Sequence, residues 1–303
     1  MRPESRLLIL NPLSGAADHA TTVRQKAHRA GFSVRATAHP AHGVELGREA
    51  ANRGVDELAI CGGDGTINEV LCGLAAESYL DQPTITVLPA GTANLLATNL
   101  GIASVQHGFE LIDAGQVRRI DVGMAAESPF LVSCIVGLPA DASTAATAEL
   151  KERLGTLAFV VTGLREALEF EALQLELETT VEGGRERWAG EALCVLIGNA
   201  RRFIRQGGQA NMEDGLFDVA VVEQMPAGNL AIEAVTHRLL GRETDGVTHY
   251  QASEVSLQSD GAMRLSRDGE LVERPAIELQ CRRRILAMRV GPGYERTPIE
   301  STA

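Results

Sequence analysis

The chain has 303 residues, of which 45% are hydrophobic and 4% aromatic, and a formal net charge of −12 at pH 7. That length accommodates about two domains with a sizeable core. The acidic balance, with no basic patch, excludes nucleic-acid binding and a polybasic membrane anchor. In chain order, Arg6–Leu10 reads as a strand, Ala17–Ala30 as a helix stopped by Gly31, and Ser33–Ala38 as a strand. Val44–Arg53 reads as a helix stopped by Gly54, then come a strand at Leu58–Cys61 and a helix at Thr66–Ala76. Thr84–Leu88 is a further strand, followed by helices at Ala93–Asn99 and Val105–Ala114. This βαβα rhythm predicts an α/β domain with a doubly wound parallel sheet and ligands at the carboxyl ends of its strands.

The rhythm then changes. Strands are expected at Arg118–Met124 and Phe130–Val136, then a largely helical excursion at Ala142–Phe170. Leu173–Thr180, Arg187–Ile197, Leu216–Val222, Val247–Leu257 and Ala276–Cys281 read as strands, interrupted by a helical Pro226–Leu240. Short strands separated by Gly, Asp and Asn predict an antiparallel sandwich or barrel. The expected division is 1–125 and 126–287, with 288–303 free to pack back on the first domain. Cys61, Cys72, Cys134, Cys194 and Cys281 form no CxxC pair, so they read as small core residues in a reducing compartment. The first apolar run is short and leads into Asn11-Pro12, unlike a signal peptide, and no stretch has the length of a membrane span. A cytoplasmic protein is expected.

The most informative stretch runs from Leu58 to Val70 and contains Gly62-Gly63-Asp64-Gly65-Thr66. Glycines let backbone N–H groups approach a ligand, and a helix N-terminus favours phosphate. A bare carboxylate would repel phosphate, so Asp64 fits a magnesium ion or an ordered water. Gly-Gly-Asp-Gly is also a common loop, but strand, glycine turn and helix in this order is the context of a phosphate loop. It matches neither the Walker pattern nor GxGxxG. Three more turns follow strands: Asn11-Pro12-Leu13-Ser14-Gly15, Leu88-Pro89-Ala90-Gly91-Thr92-Ala93-Asn94, and Arg267-Asp268-Gly269-Glu270. Singly they read as a plain turn, a helix start capped by Thr92, and a hairpin turn.

As a set, Asn-Pro-x-Ser-Gly, Gly-Gly-Asp-Gly-Thr-x-Asn-Glu-Val, Leu-Pro-x-Gly-Thr-x-Asn and the late Asp-Gly-Glu resemble the diacylglycerol kinase catalytic-domain family. Asn199, Gly207-Gly208 and Asp214–Val219 fit its second domain. The resemblance implies an N-terminal domain like those of NAD kinase and phosphofructokinase, a β-sandwich lipid-acceptor domain, and an active site in the cleft between them. It implies ATP as phosphoryl donor, Mg2+, and a lipid substrate reached at a membrane surface by peripheral association, and it leaves a homodimer open. Asn11, Pro12, Ser14, Gly15, Gly62, Gly63, Asp64, Gly65, Thr66, Asn68, Glu69, Gly91 and Thr92 would line the ATP site, with Thr37 as a further nucleotide contact. Asp64 would organise magnesium, directly or through water. Asp268 or Glu270 would be the general base on the lipid hydroxyl, and the residues leave the choice open. Asp141 would touch the acceptor head group. A second, more structural metal would map to Asn211, Asp214 and Leu216.

Phosphoryl transfer requires positioning and charge neutralisation more than covalent participation, and the glycine loops and carboxylates supply both. Asp64→Asn or Glu270→Gln is expected to abolish transfer with the fold intact. Arg201, Arg202 and Arg205 read as solvated loop charges. Two departures fall on the acceptor side: Pro139 stands where the family carries a glycine, and the Gly207–Gly215 segment is short. NAD kinase, which shares a Gly-Gly-Asp-Gly-Thr loop, is one alternative, but Asn68-Glu69 is too early for its later acidic signature. A catalytically silent regulatory protein is the other, opposed by retention of both acidic motifs.

Overall fold

The computed structural model describes residues 5–137, 172–201, 210–223 and 246–296. The helices expected at Ala142–Phe170 and Pro226–Leu240 lie outside the described residues, as do Pro139, Asp141, Arg202, Arg205 and Gly207-Gly208. The described chain forms two compact units. One holds residues 5–122, 127–129 and 283–295; the other holds 123–126, 130–137, 172–201, 210–223, 246–282 and 296.

The first unit is built on β1 (Arg6–Leu10), β2 (Ser33–Ala36), β3 (Glu57–Gly62) and β4 (Thr84–Pro89), a parallel sheet in the order β2-β1-β3-β4. Leu7–Leu10 and Leu58–Cys61 are buried, as continuous apolar runs must be when helices cover both sheet faces. The helices are α1 (Ala20–Arg29), α2 (His42–Asn52), α3 (Asp64–Ala76), α4 (Leu95–Asn99) and α5 (Val105–Ala114). Helix α1 starts later than its apolar spacing suggests, because Ala17 has a φ of 56°, a left-handed conformation that cannot open a right-handed helix.

Helices α2 and α3 meet through glycines. A Cβ on Gly47 would lie 2.3 Å from the Val70 carbonyl oxygen, and one on Gly73 would lie 2.2 Å from that of Val44. Only glycine permits this approach. A fifth parallel strand comes from the far end of the chain: in β13 (Glu270–Val290), Ala287 and Met288 pair with Thr84 and Ile85 of β4. The expected strand at Ala276–Cys281 is therefore much too short. Arg282-Arg283-Arg284 masked its continuation as a charged loop, whereas the buried Asp121 accepts the Arg284 N–H at 2.7 Å and carries the chain through.

The second unit is antiparallel. Its strands are β7 (Ser133–Val136), β8 (Leu173–Val181), β9 (Gly184–Gly198), β10 (Phe217–Glu223), β11 (Val247–Ala252), β12 (Glu254–Arg267) and the first part of β13. They run in the order β11-β10-β9-β7-β12-β13, with β8 pairing both β9 and β12. β5 (Gln116–Ala125) and β6 (Ser128–Phe130) pair with each other. The core gathers Phe130 and Phe217, stacked at 5.5 Å, with Val195, Ile197, Val219, Val221, Leu257 and Leu265.

Two expected strands are each divided. Phe130–Val136 breaks after Phe130 because the next three N–H groups turn to the Asp268 carboxylate rather than to a neighbouring strand. Val247–Leu257 breaks at Ser253, whose N–H and hydroxyl both donate to the Thr180 carbonyl, at 2.8 and 3.0 Å. Among the described residues, no helix is long and apolar enough to cross a membrane.

Candidate active site

In the first unit three loops meet at the carboxyl ends of β1, β3 and β4. Asn11 ends β1; its N–H donates to the Cys61 carbonyl at 2.8 Å and its Nδ2 to the Thr66 hydroxyl at 2.9 Å. Its Oδ1 accepts the Leu13 N–H at 3.0 Å, closing the turn over Pro12 that leads to Ser14 and Gly15. Gly15 has a φ of 56°, and a Cβ there would fall 2.4 Å from the Ala90 carbonyl oxygen. The Ala90 N–H donates to Gly62 at 2.9 Å. A Cβ on Gly91 would sit 2.4 Å from the Gly63 Cα. These loops therefore touch backbone to backbone, at distances that a side chain at Gly15 or Gly91 would prevent. Thr37 joins them at the end of β2, its N–H donating to the Leu10 carbonyl at 2.9 Å.

Two carboxylates of α3 fasten neighbouring helices. Asp64 Oδ2 and Oδ1 accept the Leu95 and Leu96 N–H groups, each at 3.0 Å. Asp64 thus supplies the α4 cap expected of Thr92; α4 has no side-chain cap of its own, since Asn94 adopts a left-handed φ of 48° and folds its amide back on Gly91. An Asn at position 64 would therefore also loosen α4, correcting the expectation of an intact fold. Glu69, five residues further on, accepts the Ala41 and Gly43 N–H groups at 3.1 and 3.0 Å and caps α2. Gly65 has open space where a Cβ would be, so the protein's own packing does not require a glycine there. The Asn68 Oδ1 is buried and has no hydrogen-bond partner among the described residues, an oriented acceptor on the same helix turn.

The late acidic motif lies in the second unit, at the hairpin joining β12 and β13. Asp268 and Gly269 both have positive φ, 44° and 92°, the mirror-image turn that suits a two-residue hairpin. The Asp268 carboxylate turns inward and accepts three N–H groups, from Leu131 at 2.7 Å and from Val132 and Ser133 at 2.9 Å. Glu270 faces the other way. Its side chain is 55% exposed and pairs with Arg267, directly opposite it on the last rung. The structure therefore separates two carboxylates that the sequence left equivalent: Asp268 is engaged by backbone, and Glu270 is largely exposed and paired with Arg267. Asn199 closes the group, its Nδ2 donating to the Leu131 carbonyl at 2.9 Å. The nearby Cys134 thiol is pushed up to about 12 by burial and by Asp268, against a lowering effect of Arg267.

Asn211, Asp214 and Leu216 do come together, in one turn. Asn211 Oδ1 accepts the Glu213 N–H at 3.0 Å and Asp214 Oδ1 accepts the Leu216 N–H at 2.9 Å. Arg201, expected to be solvated, is 6% exposed. A cavity of ≈ 470 Å³ on the second unit, lined in part by Glu178, Arg185, Glu254 and Glu278, contains none of the candidate residues. Sequence reasoning missed Asn94, which ties its own loop, and Arg267, which partners Glu270. For Arg267 the signal was its place one residue before the acidic motif.

Comparison with known proteins follows the same two-part division. Residues 5–125 match the family described as Diacylglycerol kinase catalytic domain, and residues 133–290 match the YegS C-terminal NAD kinase beta sandwich-like domain. A Bacillus subtilis (strain 168) protein named diacylglycerol kinase is 29% identical, over 87% of this chain and 88% of its own. A Pseudomonas putida KT2440 protein named as a YegS-like lipid kinase is 30% identical, over 86% of each chain. A crystal structure titled as a diacylglycerol kinase from Bacillus anthracis str. Sterne shares the fold, with a TM-score of 0.71 at 20% identity over 96% of this chain and 98% of that one. The chain belongs to the diacylglycerol kinase catalytic-domain family, with a YegS-type C-terminal β-sandwich domain, and is a lipid-kinase-type phosphotransferase with an alcohol acceptor.

Proposed function

We propose that this protein transfers the γ-phosphate of ATP to a hydroxyl of diacylglycerol or a related lipid, with Mg2+ at the phosphates and Glu270 as general base. The observation that carries the reading is the backbone-lined meeting of three loops, where a Cβ on Gly91 would lie 2.4 Å from Gly63. Glycines packed this closely leave no side chain to keep a phosphate from the N-terminus of α3, the end of a helix that favours an anion. The buried, unpartnered Asn68 Oδ1 fits a donor on the nucleotide or a metal-bound water. The Asp64 oxygens each accept one N–H and keep a lone pair, so Asp64 suits a hydrogen bond from a magnesium-bound water better than direct ligation. Bound Mg2+ would neutralise charge on the transferring group. The turn of Asn211, Asp214 and Leu216 offers oxygen donors only, the set a second Mg2+ prefers.

On the acceptor side, Glu270 takes the proton of the attacking hydroxyl, because Asp268 is engaged by three backbone donors. Leu271, next to Glu270, is 55% exposed, an apolar neighbour suited to an amphiphile. Apolar contacts of this kind, and not charge, would bring the protein to a membrane surface, since the net charge is −12. The test incubates purified protein with labelled ATP, Mg2+ and a panel of diacylglycerol, monoacylglycerol, sphingoid base, phosphatidylglycerol and NAD. Label is expected on diacylglycerol or another lipid, and Glu270→Gln is expected to lose transfer at unchanged Tm. Label on NAD alone, or none on any acceptor, would refute the proposal.

A further inference from the structure

Arg267 has features that hairpin formation does not require. It is 8% exposed, lies at the end of β12 opposite both Cys134 of β7 and Glu270 of β13, and its Nη2 donates to Glu270 Oε2. Its Nε is buried with no hydrogen-bond partner among the described residues. A buried guanidinium with an unused donor is unfavourable for stability, and an apolar side chain of similar length would fill the space at less cost. The turn that follows pre-sets the rung, because Asp268 and Gly269 both sit at positive φ and the Asp268 carboxylate is held by three N–H groups. Arg267 is thus a fixed cation from which one largely exposed carboxylate is suspended.

We propose that Arg267 is a positioning residue for the general base: anchored by burial, it holds the Glu270 carboxylate in one orientation. A free glutamate on a strand end samples several rotamers, and an ion pair to a rigid partner selects among them. Orientation of this kind acts on the chemical step, where a displacement of about 1 Å can change the rate about 100-fold. The proposal rests on Glu270 being the base, and the experiment separates the two.

Single-turnover transfer from labelled ATP to diacylglycerol is measured for the wild type, Arg267→Met, Arg267→Lys, Glu270→Gln and the Arg267→Met/Glu270→Gln double variant, with Tm for each. Arg267→Met is expected to slow transfer about 10- to 100-fold with KM for ATP unchanged. Arg267→Lys should recover part of the loss. In the Glu270→Gln background Arg267→Met should change the residual rate no further, since a residue that acts through Glu270 has nothing left to orient. An unchanged rate in Arg267→Met, or equal slowing in both backgrounds with a lowered Tm, overturns the positioning role and leaves the base assignment standing. Wild-type transfer by Glu270→Gln overturns the base assignment itself.

Discussion

Asp268 and Glu270 are two residues apart in the chain yet stand in different surroundings. Asp268 replaces a missing stretch of sheet ladder: Oδ1 serves Val132 and Ser133, and Oδ2 serves Leu131. Asp268→Asn retains one oxygen and turns an N–H2 toward a backbone N–H. It should cost about 1–3 kcal/mol, read as a lower urea midpoint, with much of kcat kept in the folded fraction. Loss of transfer at full stability would instead place Asp268 in the chemistry. Asp64 sits between these cases, because its oxygens cap α4 from another loop. Asp64→Asn is expected to lose transfer and also about 1–2 kcal/mol of stability, the usual cost of removing a helix cap.

Glycines of the first unit serve two ends that their letters do not distinguish. Gly47 and Gly73 let α2 and α3 approach until backbone meets backbone, and a Cβ at either would come within 2.3 Å of a carbonyl oxygen. Gly47→Ala should destabilise by about 1–3 kcal/mol, as overpacking does, and lower Tm. Gly65 is the contrasting case, with nothing within 4 Å of the position a Cβ would take. Alanine in the first turn of α3 should leave Tm equal or higher, by up to about 1 kcal/mol of helix propensity, while raising KM for ATP. An unchanged KM would show that phosphate does not approach Gly65. The α2–α3 contact also carries the Glu69 cap, since a Cβ on Gly43 would sit 2.6 Å from the Glu69 carboxylate.

Over the whole chain, β13 is shared: residues 270–282 belong to one unit and residues 283–290 to the other. Leu286, Met288 and Val290 are buried in the parallel sheet. Arg289 binds Glu57 at 2.8 Å and Arg6 binds the same carboxylate at 3.0 Å. Truncation after Arg282 would remove about 5–9 kcal/mol of burial, comparable with the whole stability of a domain. The truncated protein should therefore show no cooperative melting of its first unit by circular dichroism. The buried thiols give a second molecule-wide expectation. Burial raises Cys61, Cys134 and Cys194 from 9.0 to about 12, so iodoacetamide at neutral pH should modify the less buried Cys72 first, read by mass spectrometry. In the unfolded chain these thiols ionise near pH 9, so their contribution is complete below that pH and is lost as pH rises toward 12. Urea unfolding across that range should show the decline.

The strands of the first unit were legible because parallel strands covered on both faces are uninterrupted apolar runs, as at Leu7–Leu10 and Leu58–Cys61. Motif glycines such as Gly15 and Gly91 were legible because a turn demanding close backbone approach admits almost no other residue. What the letters could not show was which partner each polar group finds. Val105–Ala114 was readable from its own spacing, but β13 beyond Cys281 was not, since Arg282–Arg284 look like a loop until Asp121 is placed against them. Asp268 and Glu270 are chemically alike; three N–H groups more than 130 residues away in the chain hold one of them and leave the other exposed. Local pattern carries periodicity and backbone conformation, so it reached the fold and the motifs. The roles of individual carboxylates depend on hydrogen-bond partners brought together from distant segments, and those exist only once the chain has folded.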